Sequence, residues 1–348
     1  MLSRPRRLVG IVASAIVAAA VGVPGAWLFG TTEPTQAMPP TNLTGWTADP
    51  LRPPDPVTAT VEQVSGFFAG LSAADATALT LRHPQLVGNL DGAPLALRYA
   101  ANRVQRPAWA DRTILALDTR GDGRVAEVLG DLSTAERVAV LVPGVDDDLE
   151  NFDSGHGGVL RRAQSWQARQ LHAEMLRLEP GARVAVIAWL GYDPPEGVRR
   201  DAFREDRAAA GAIALERFVD GLVLGRPGLA VTVIGHSYGS TVAGLAAPRL
   251  SPQITDLVAI GSPGVGVDHR EDLRTAATVW AGSAPNDWTR RVPGLQLFGV
   301  GHGTQPADPD FGALSLPCGD VDGHDGYFLS GTSSLRAMAQ IGLGGDPR

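Results

Sequence analysis

Residues 229–250 read LAVTVIGHSYGSTVAGLAAPRL. A short apolar run ends at Gly235, and a stretch of small residues with helical character follows from Tyr238. Strand, tight turn, helix is the context that turns Gly235-His236-Ser237-Tyr238-Gly239 from a chance G-x-S-x-G match into a nucleophile elbow. Such a turn lifts the Ser237 hydroxyl out at the end of a sheet. Glycines on both sides are needed because bulkier side chains would collide where strand and helix cross. The helix start beneath also favours negative charge developing at the serine.

Working outward, the same alternation recurs. RVAVLVPG (137–144), RVAVIAWLGY (183–192), DLVAIGS (256–262), TVWAGSA (278–284) and LQLFGVG (295–301) are short apolar β runs. Helical stretches lie across 156–178, about 200–222 and 333–341. Continuous apolar strands alternating with helices predict an α/β fold: a mostly parallel sheet with helices on both faces. Upstream, TILALDT and RVAEVLGDL flank the turn RGDG and read as a β-hairpin. DTRGDG faintly resembles a calcium loop, but its third position is Arg120 and its twelfth Leu129, so the hairpin stands. Residues 57–112 carry a helical pattern, with the cap signal Ser72-Ala-Ala-Asp75 and a stop at Pro84. The predicted organisation is an N-terminal signal or anchor (1–30), a proline-rich linker (31–56), a helical extension (57–112) and the core (113–348). Whether the extension forms a lid is open at this level.

A serine hydroxyl needs a base, and in this kind of fold the chain order is serine, acid, histidine. Asp287, just beyond TVWAGSA, is the candidate acid, with Asp268 as its competitor one strand earlier. His324, ahead of the last helix, is the candidate base, and His302 the second candidate. His236 is read as packing within the elbow. For an oxyanion hole the backbone amides of Tyr238 and Val145 are the candidates, one after the nucleophile and one on the loop after the first core strand. Asp146, Asp147 and Asp148 follow that loop and read as a solvated segment, with contact to a metal or cationic substrate as the alternative.

Composition removes other chemistries. All thirty basic residues are arginine, so no P-loop lysine, Schiff base or Ser-x-x-Lys acyl-enzyme is available. A single cysteine, Cys318, allows no internal disulfide and no Cys-x-x-Cys pair. It reads as a small buried hydrophobe. No His-Glu-x-x-His zinc motif occurs, and neither a metal nor a cofactor is expected. A net charge of −7 argues against a nucleic-acid partner. Arg4, Arg6 and Arg7 precede 23 uncharged residues, Leu8 to Gly30. That is an export signal, or an anchor long enough for a bilayer of about 30 Å. Either places the remainder in the envelope or outside the cell.

HPQLVGNLDGAPLALRYAANR, VLVPG, VAVIAWLGYDPP, TVIGHSYGSTVAG, AIGSPGVGV and HDGYF together resemble an actinobacterial α/β-hydrolase family of unassigned function. The resemblance runs from about Val57 to the C-terminus. It implies the hydrolase sheet, a helical N-terminal extension and a serine nucleophile at Ser237, and it names no substrate. Val145-Asp146-Asp147 stands after Pro-Gly where smaller residues are expected. The residues thus predict a serine hydrolase of the esterase/lipase type acting on a small-molecule or lipid ester. An envelope acyltransferase with the same triad, a peptidase and a non-catalytic binding protein are the alternatives. An imidazole base must be neutral, so turnover should rise with pH through about 6–7. A pH-independent initial rate between pH 5 and 8 would contradict a histidine base.

Overall fold

Alternation along the central strands sorts their side chains into two cores. β3 (Arg137–Val142), β4 (Val184–Leu190) and β5 (Ala230–His236) are β-branched and apolar, so each side of each strand finds a dry partner. Val138, Val140, Ile187, Val231 and Val233 turn to one face, and Ala139, Leu141, Val186, Ala188 and Ile234 to the other. The computed structural model describes residues 42–197, 206–292 and 301–347.

Among the described residues the sheet has eight strands, adding β1 (Ile114–Asp118), β2 (Arg124–Gly130), β6 (Ile254–Ile260), β7 (Thr278–Gly282) and β8 (Leu314–Ser315). Their order is β1-β2-β4-β3-β5-β6-β7-β8. β2 runs antiparallel to both neighbours and every other pair is parallel. The chain steps from β3 to β4 on one side and then to β5 on the other. That reversal opens a crevice at the carboxyl ends of β3 and β5, where such sheets hold their ligands. The predicted fold class is therefore the observed one, and the hairpin expected around RGDG is β1–β2. Arg120 grips Asp118 through Nε and Nη2 at 2.8 and 2.6 Å, so the carboxylate of the calcium-like string already has a cation.

The helices expected from periodicity cover both faces, with some corrections at their ends. The stretch 156–178 is helical only from Gln164 to Leu178 (called α6 here, after five shorter helices given below). Ahead of it lie two short 3-10 turns, and Gly155, Gly157 and Gly158 adopt positive φ, a conformation incompatible with a continuing α-helix. α7 spans Asp206–Val223, α8 Tyr238–Ala246 and α9 Ser333–Gly342. Leu215, Phe218 and Val242 of α7 and α8 share the first core, and Leu171, Met175, Leu335 and Met338 of α6 and α9 the second. The strand expected at 295–301 falls almost wholly outside the described residues. The seat beside β7 is taken by the two residues of β8, too few to show any period.

The N-terminal extension has its own core. α1 (Leu43–Thr47), α2 (Val61–Ala69), α3 (Ala73–Arg82), α4 (Pro84–Val87) and α5 (Leu95–Gln105) enclose Trp46, Val64, Phe68, Leu79 and Val87. The Ser72 hydroxyl accepts from the Asp75 amide, as the cap signal predicted. The proline-rich stretch read as a linker is structured from residue 42 onward. Trp46 is fully buried with its indole N–H donating to Pro54 O. Asp49 is held by Arg82 and His83. The predicted signal or anchor and residues 31–41 lie outside the described residues. Among the described residues no helix is long and apolar enough to cross a membrane.

Part of this extension closes the outer edge of the sheet. Asn89 accepts from Leu117 N at 2.9 Å and donates to Leu117 O at 2.6 Å, imitating a neighbouring strand. Arg98 Nε donates to Leu115 O and Asn102 Nδ2 to Ile114 O. Covering an edge in this way blocks edge-to-edge association. Asn89→Ala should cost about 1–3 kcal/mol in urea unfolding, the range for stranding partly buried backbone groups. An unchanged unfolding midpoint would contradict the edge role.

Candidate active site

Ser237 is the residue between β5 and α8, and its backbone sits at φ 54° and ψ −128°. That is a sparsely populated region for a residue with a Cβ, and it persists only where the surroundings enforce it. The enforcement is visible. A Cβ on Gly235 would lie 2.5 Å from Ser240 Cα, and one on Gly239 would lie 2.3 Å from Val142 O. Both glycines are thus required by close approach. The Ser237 amide donates to Ile260 O at 2.9 Å, and the Ser240 hydroxyl donates to Ser237 O at 2.5 Å while lying 2.6 Å from Ser262 Oγ. The nucleophile candidate is therefore pinned from β6 and from the first turn of α8.

Asp287 follows β7 and is fully buried at its side chain. His324 Nδ1 lies 2.9 Å from Asp287 Oδ1 and 3.0 Å from Oδ2. The Thr289 amide and hydroxyl donate to Oδ1 at 2.9 and 2.7 Å, and the Tyr327 hydroxyl donates to Oδ2 at 2.7 Å. Burial by itself would raise the Asp287 pKa. The hydrogen bonds from His324, Thr289 and Tyr327 outweigh it and hold the carboxyl well below the usual carboxylate range. Tyr327 is fixed in turn by the Ala284 amide, which donates to its oxygen. An anionic carboxylate with this many donors holds Nδ1 as the N–H nitrogen, leaving Nε2 to act as base.

The pair meets the serine by way of shared neighbours. Gly261, next to the Ile260 carbonyl that receives the Ser237 amide, has φ 56°. A Cβ there would lie 2.8 Å from Asp287 Oδ2 and 3.0 Å from His324 Cε1. From the other direction His236, the residue before Ser237, has its ring 4.7 Å from that of His324, with Nε2 2.9 Å from the His324 carbonyl. A carbonyl can only accept, so His236 carries its proton on Nε2. Burial, with His324 beside it, pushes the His236 pKa down to about 4. It is a neutral strut between Ser237 and His324.

The second candidates, Asp268 and His302, make other contacts. Asp268 is exposed and accepts from the Thr304 amide and hydroxyl. His302 is buried, its ring edge-on to that of Tyr238 and its carbonyl taken by Gly266 N. On the oxyanion side, Tyr238 opens α8. Val145 follows Gly144, where a Cβ would come within 2.9 Å of Ser237 Cβ. Tyr192 donates to Pro143 O at 2.7 Å and steadies that loop.

The three aspartates are not a free solvated tail. Asp146 (φ 63°) accepts from Gly197 N and donates its amide to Pro195 O, while Asp148 accepts from Asn151 N. Asp147 faces Gly144 N. Burial, then Asp148 and Asp146, raise its pKa well above the carboxylate norm. No group of His, Cys, Asp or Glu among the described residues could hold a metal ion.

Several supporting residues were not foreseen from sequence: Tyr327, Thr289, Tyr192, Ser240 and Ser262. Tyr327 sits within HDGYF and Thr289 two residues after Asp287, spacings that a side-chain cap would have suggested. Tyr192 carries no local signal because its partner is far along the chain, and the contact of Ser262 with Ser240 spans 22 residues.

A family model described as alpha/beta hydrolase matches residues 118–297, just over half the chain, a span that includes Ser237 and Asp287. An uncharacterized protein of Mycobacterium tuberculosis is 27% identical over 415 aligned positions, covering 93% of this chain and 60% of the relative. The chain thus spans about three fifths of that relative's length. Another from the same organism is 32% identical over 222 positions, covering 61% of this chain and 74% of the relative. Among solved structures, an α/β serine hydrolase without lid from Xanthomonas campestris shares 16% identity at a TM-score of 0.35, covering 67% of this chain and 93% of that one. A carboxylesterase from Mesorhizobium loti shares 15% at 0.37, covering 66% and 98%. At those scores neither bears on the chemistry.

Because the folded pKa of His236 lies below that of an exposed imidazole, the unfolded chain binds the extra proton between about pH 6.5 and 4. The free energy of unfolding should therefore fall as pH drops through that window, by at most about 1.4 kcal/mol per pH unit for one group. His236→Gln keeps an N–H donor for His324 O and should remove this part of the slope in urea unfolding from pH 7 to 4. Identical slopes in both proteins would contradict a buried neutral imidazole.

Proposed function

The chain belongs to the α/β-hydrolase family, and from that membership we propose that it is a serine hydrolase cleaving an ester or related acyl bond through an acyl-enzyme on Ser237. The observation that carries this reading is the hydrogen-bonded Asp287–His324 pair set beside a serine in a strained turn. His324 Nε2 accepts the Ser237 proton as Oγ attacks the carbonyl carbon. Asp287 orients the imidazole and stabilises the imidazolium without itself being protonated, in keeping with its depressed pKa. The tetrahedral intermediate collapses, the carbon–oxygen bond to the alcohol breaks, and the imidazolium delivers the proton to the departing alkoxide. Water then repeats the cycle on the acyl-enzyme and releases the acid.

The oxyanion of each tetrahedral intermediate is assigned to the amides of Tyr238 and Val145. The N-terminus of α8 supports the first by its dipole. Close approach of Gly144 to Ser237, with the Tyr192 hydroxyl on Pro143 O, supports the second. A nearby carboxylate would oppose an oxyanion, and burial, with Asp148 and Asp146 beside it, raises the Asp147 pKa in the direction that weakens this opposition. The substrate is a small-molecule or lipid ester. On the strength of Arg4, Arg6, Arg7 and the uncharged run to Gly30, the catalytic body is assigned to the cell envelope or exterior.

Initial rates on p-nitrophenyl butyrate test the assignment. Ser237→Ala should lower turnover by about 10⁶-fold, the loss seen when a triad nucleophile is removed. Turnover that survives the substitution would overturn it.

A further inference from the structure

Trp288 is the one aromatic among the large apolar side chains that stay exposed in the described residues, at 39%. Trp46, Trp189 and Trp280 are no more than 3% exposed. Trp288 directly follows Asp287 and opens the 3-10 turn Trp288–Arg291, which the Asp287 carboxylate caps through the Thr289 amide. The carboxylate that orients His324 therefore also sets the indole. The two rings lie 5.0 Å apart between centroids, tilted by 52°. His324 thus has a part-buried neighbour, His236, on one border and the exposed Trp288 on another.

Acylation decides what must pass that border. The ester carbon–oxygen bond breaks, a bond from Ser237 Oγ to the acyl carbon has formed, and the serine proton moves by way of His324 Nε2 to the alkoxide. For that transfer the alkoxide oxygen must come within about 3 Å of the imidazole. Whatever substituent the oxygen carries is then placed against the groups flanking the ring. An exposed indole there is covered by an apolar substituent and left wet by a small or polar one.

We propose that Trp288 walls the leaving-group side of the site and selects esters whose alcohol portion is apolar. The proposal rests on the acyl-enzyme reading above and adds the class of alcohol to it. Once the alcohol has left, water takes its place, so Trp288 acts on acylation and not on deacylation.

The test compares methyl and hexyl butyrate, whose alcohols have closely similar acidity, by kcat/KM in a pH-stat. The wild-type protein should favour the hexyl ester by about tenfold or more, the scale on which an apolar pocket discriminates. Trp288→Ala should bring the ratio near unity by lowering kcat/KM for hexyl butyrate more than for methyl butyrate. Across methyl esters of lengthening acyl chain the variant should follow the wild type. Trp288→Phe should keep most of the preference and Trp288→Gln lose it, which serves as the second arm if Trp288→Ala does not fold. An active variant with an unchanged ratio, an equal loss on both esters, or a wild-type preference for the methyl ester each overturns the assignment of Trp288 alone. No turnover of any ester by the wild-type protein would overturn the acyl-enzyme reading, and this proposal with it.

Discussion

The rest of the structure depends on a steric constraint at one residue. Ser237 is held at positive φ between β5 and α8, and this is possible only because Gly235 and Gly239 carry no Cβ where α8 crosses the ends of β3 and β5. A conformation of that kind costs on the order of 1–3 kcal/mol. It is offset by bonds the turn makes to its surroundings, from the Ser237 amide to Ile260 O and from Ser240 to Ser237 O. β6 must therefore sit beside β5 in register. β6 in turn brings Gly261 against Asp287 and His324. The order of strands, the two glycines and the placing of the acid–imidazole pair express the same requirement.

Electrostatics completes what sterics begins. Asp287 is taken out of water and given back donors: a threonine amide and hydroxyl, a tyrosine hydroxyl and the imidazole. Charge-assisted bonds of this sort are about twice as strong as neutral ones, which is why the carboxyl stays ionised despite its burial. His236 is treated in the opposite manner. It is kept neutral and spends its N–H on the backbone of His324, so it fixes the position of that residue without adding a positive charge beside it. The two imidazoles lie close together and have opposite electrostatic roles, set by the carboxylate that only one of them touches.

The sheet and the elbow were legible in the sequence because their signals are local. A β-branched run, a G-x-S-x-G and a small-residue helix fall within 22 consecutive residues. Asp287 and His324 could be proposed from chain order and from their places after the strands, but only folding shows them joined. What escaped has physical reasons. β8 is two residues long, and the 156–162 segment looked helical by polarity although its glycines sit at positive φ. The prolines of 42–56 suggested an open linker, whereas Trp46 and Asp49 are buried by partners as far away as His83. Tyr192 and Tyr327 earn their places through hydroxyl bonds to loops distant in sequence, which no periodicity encodes.

The central claim, that Ser237 is made nucleophilic by the Asp287–His324 pair, is tested most directly by intact-mass spectrometry of the protein treated with a fluorophosphonate, followed by peptide mapping. A single adduct on Ser237, absent when His324 is replaced by Ala, is the predicted result. A protein that stays unlabelled, or an adduct that forms equally well without His324, would contradict it.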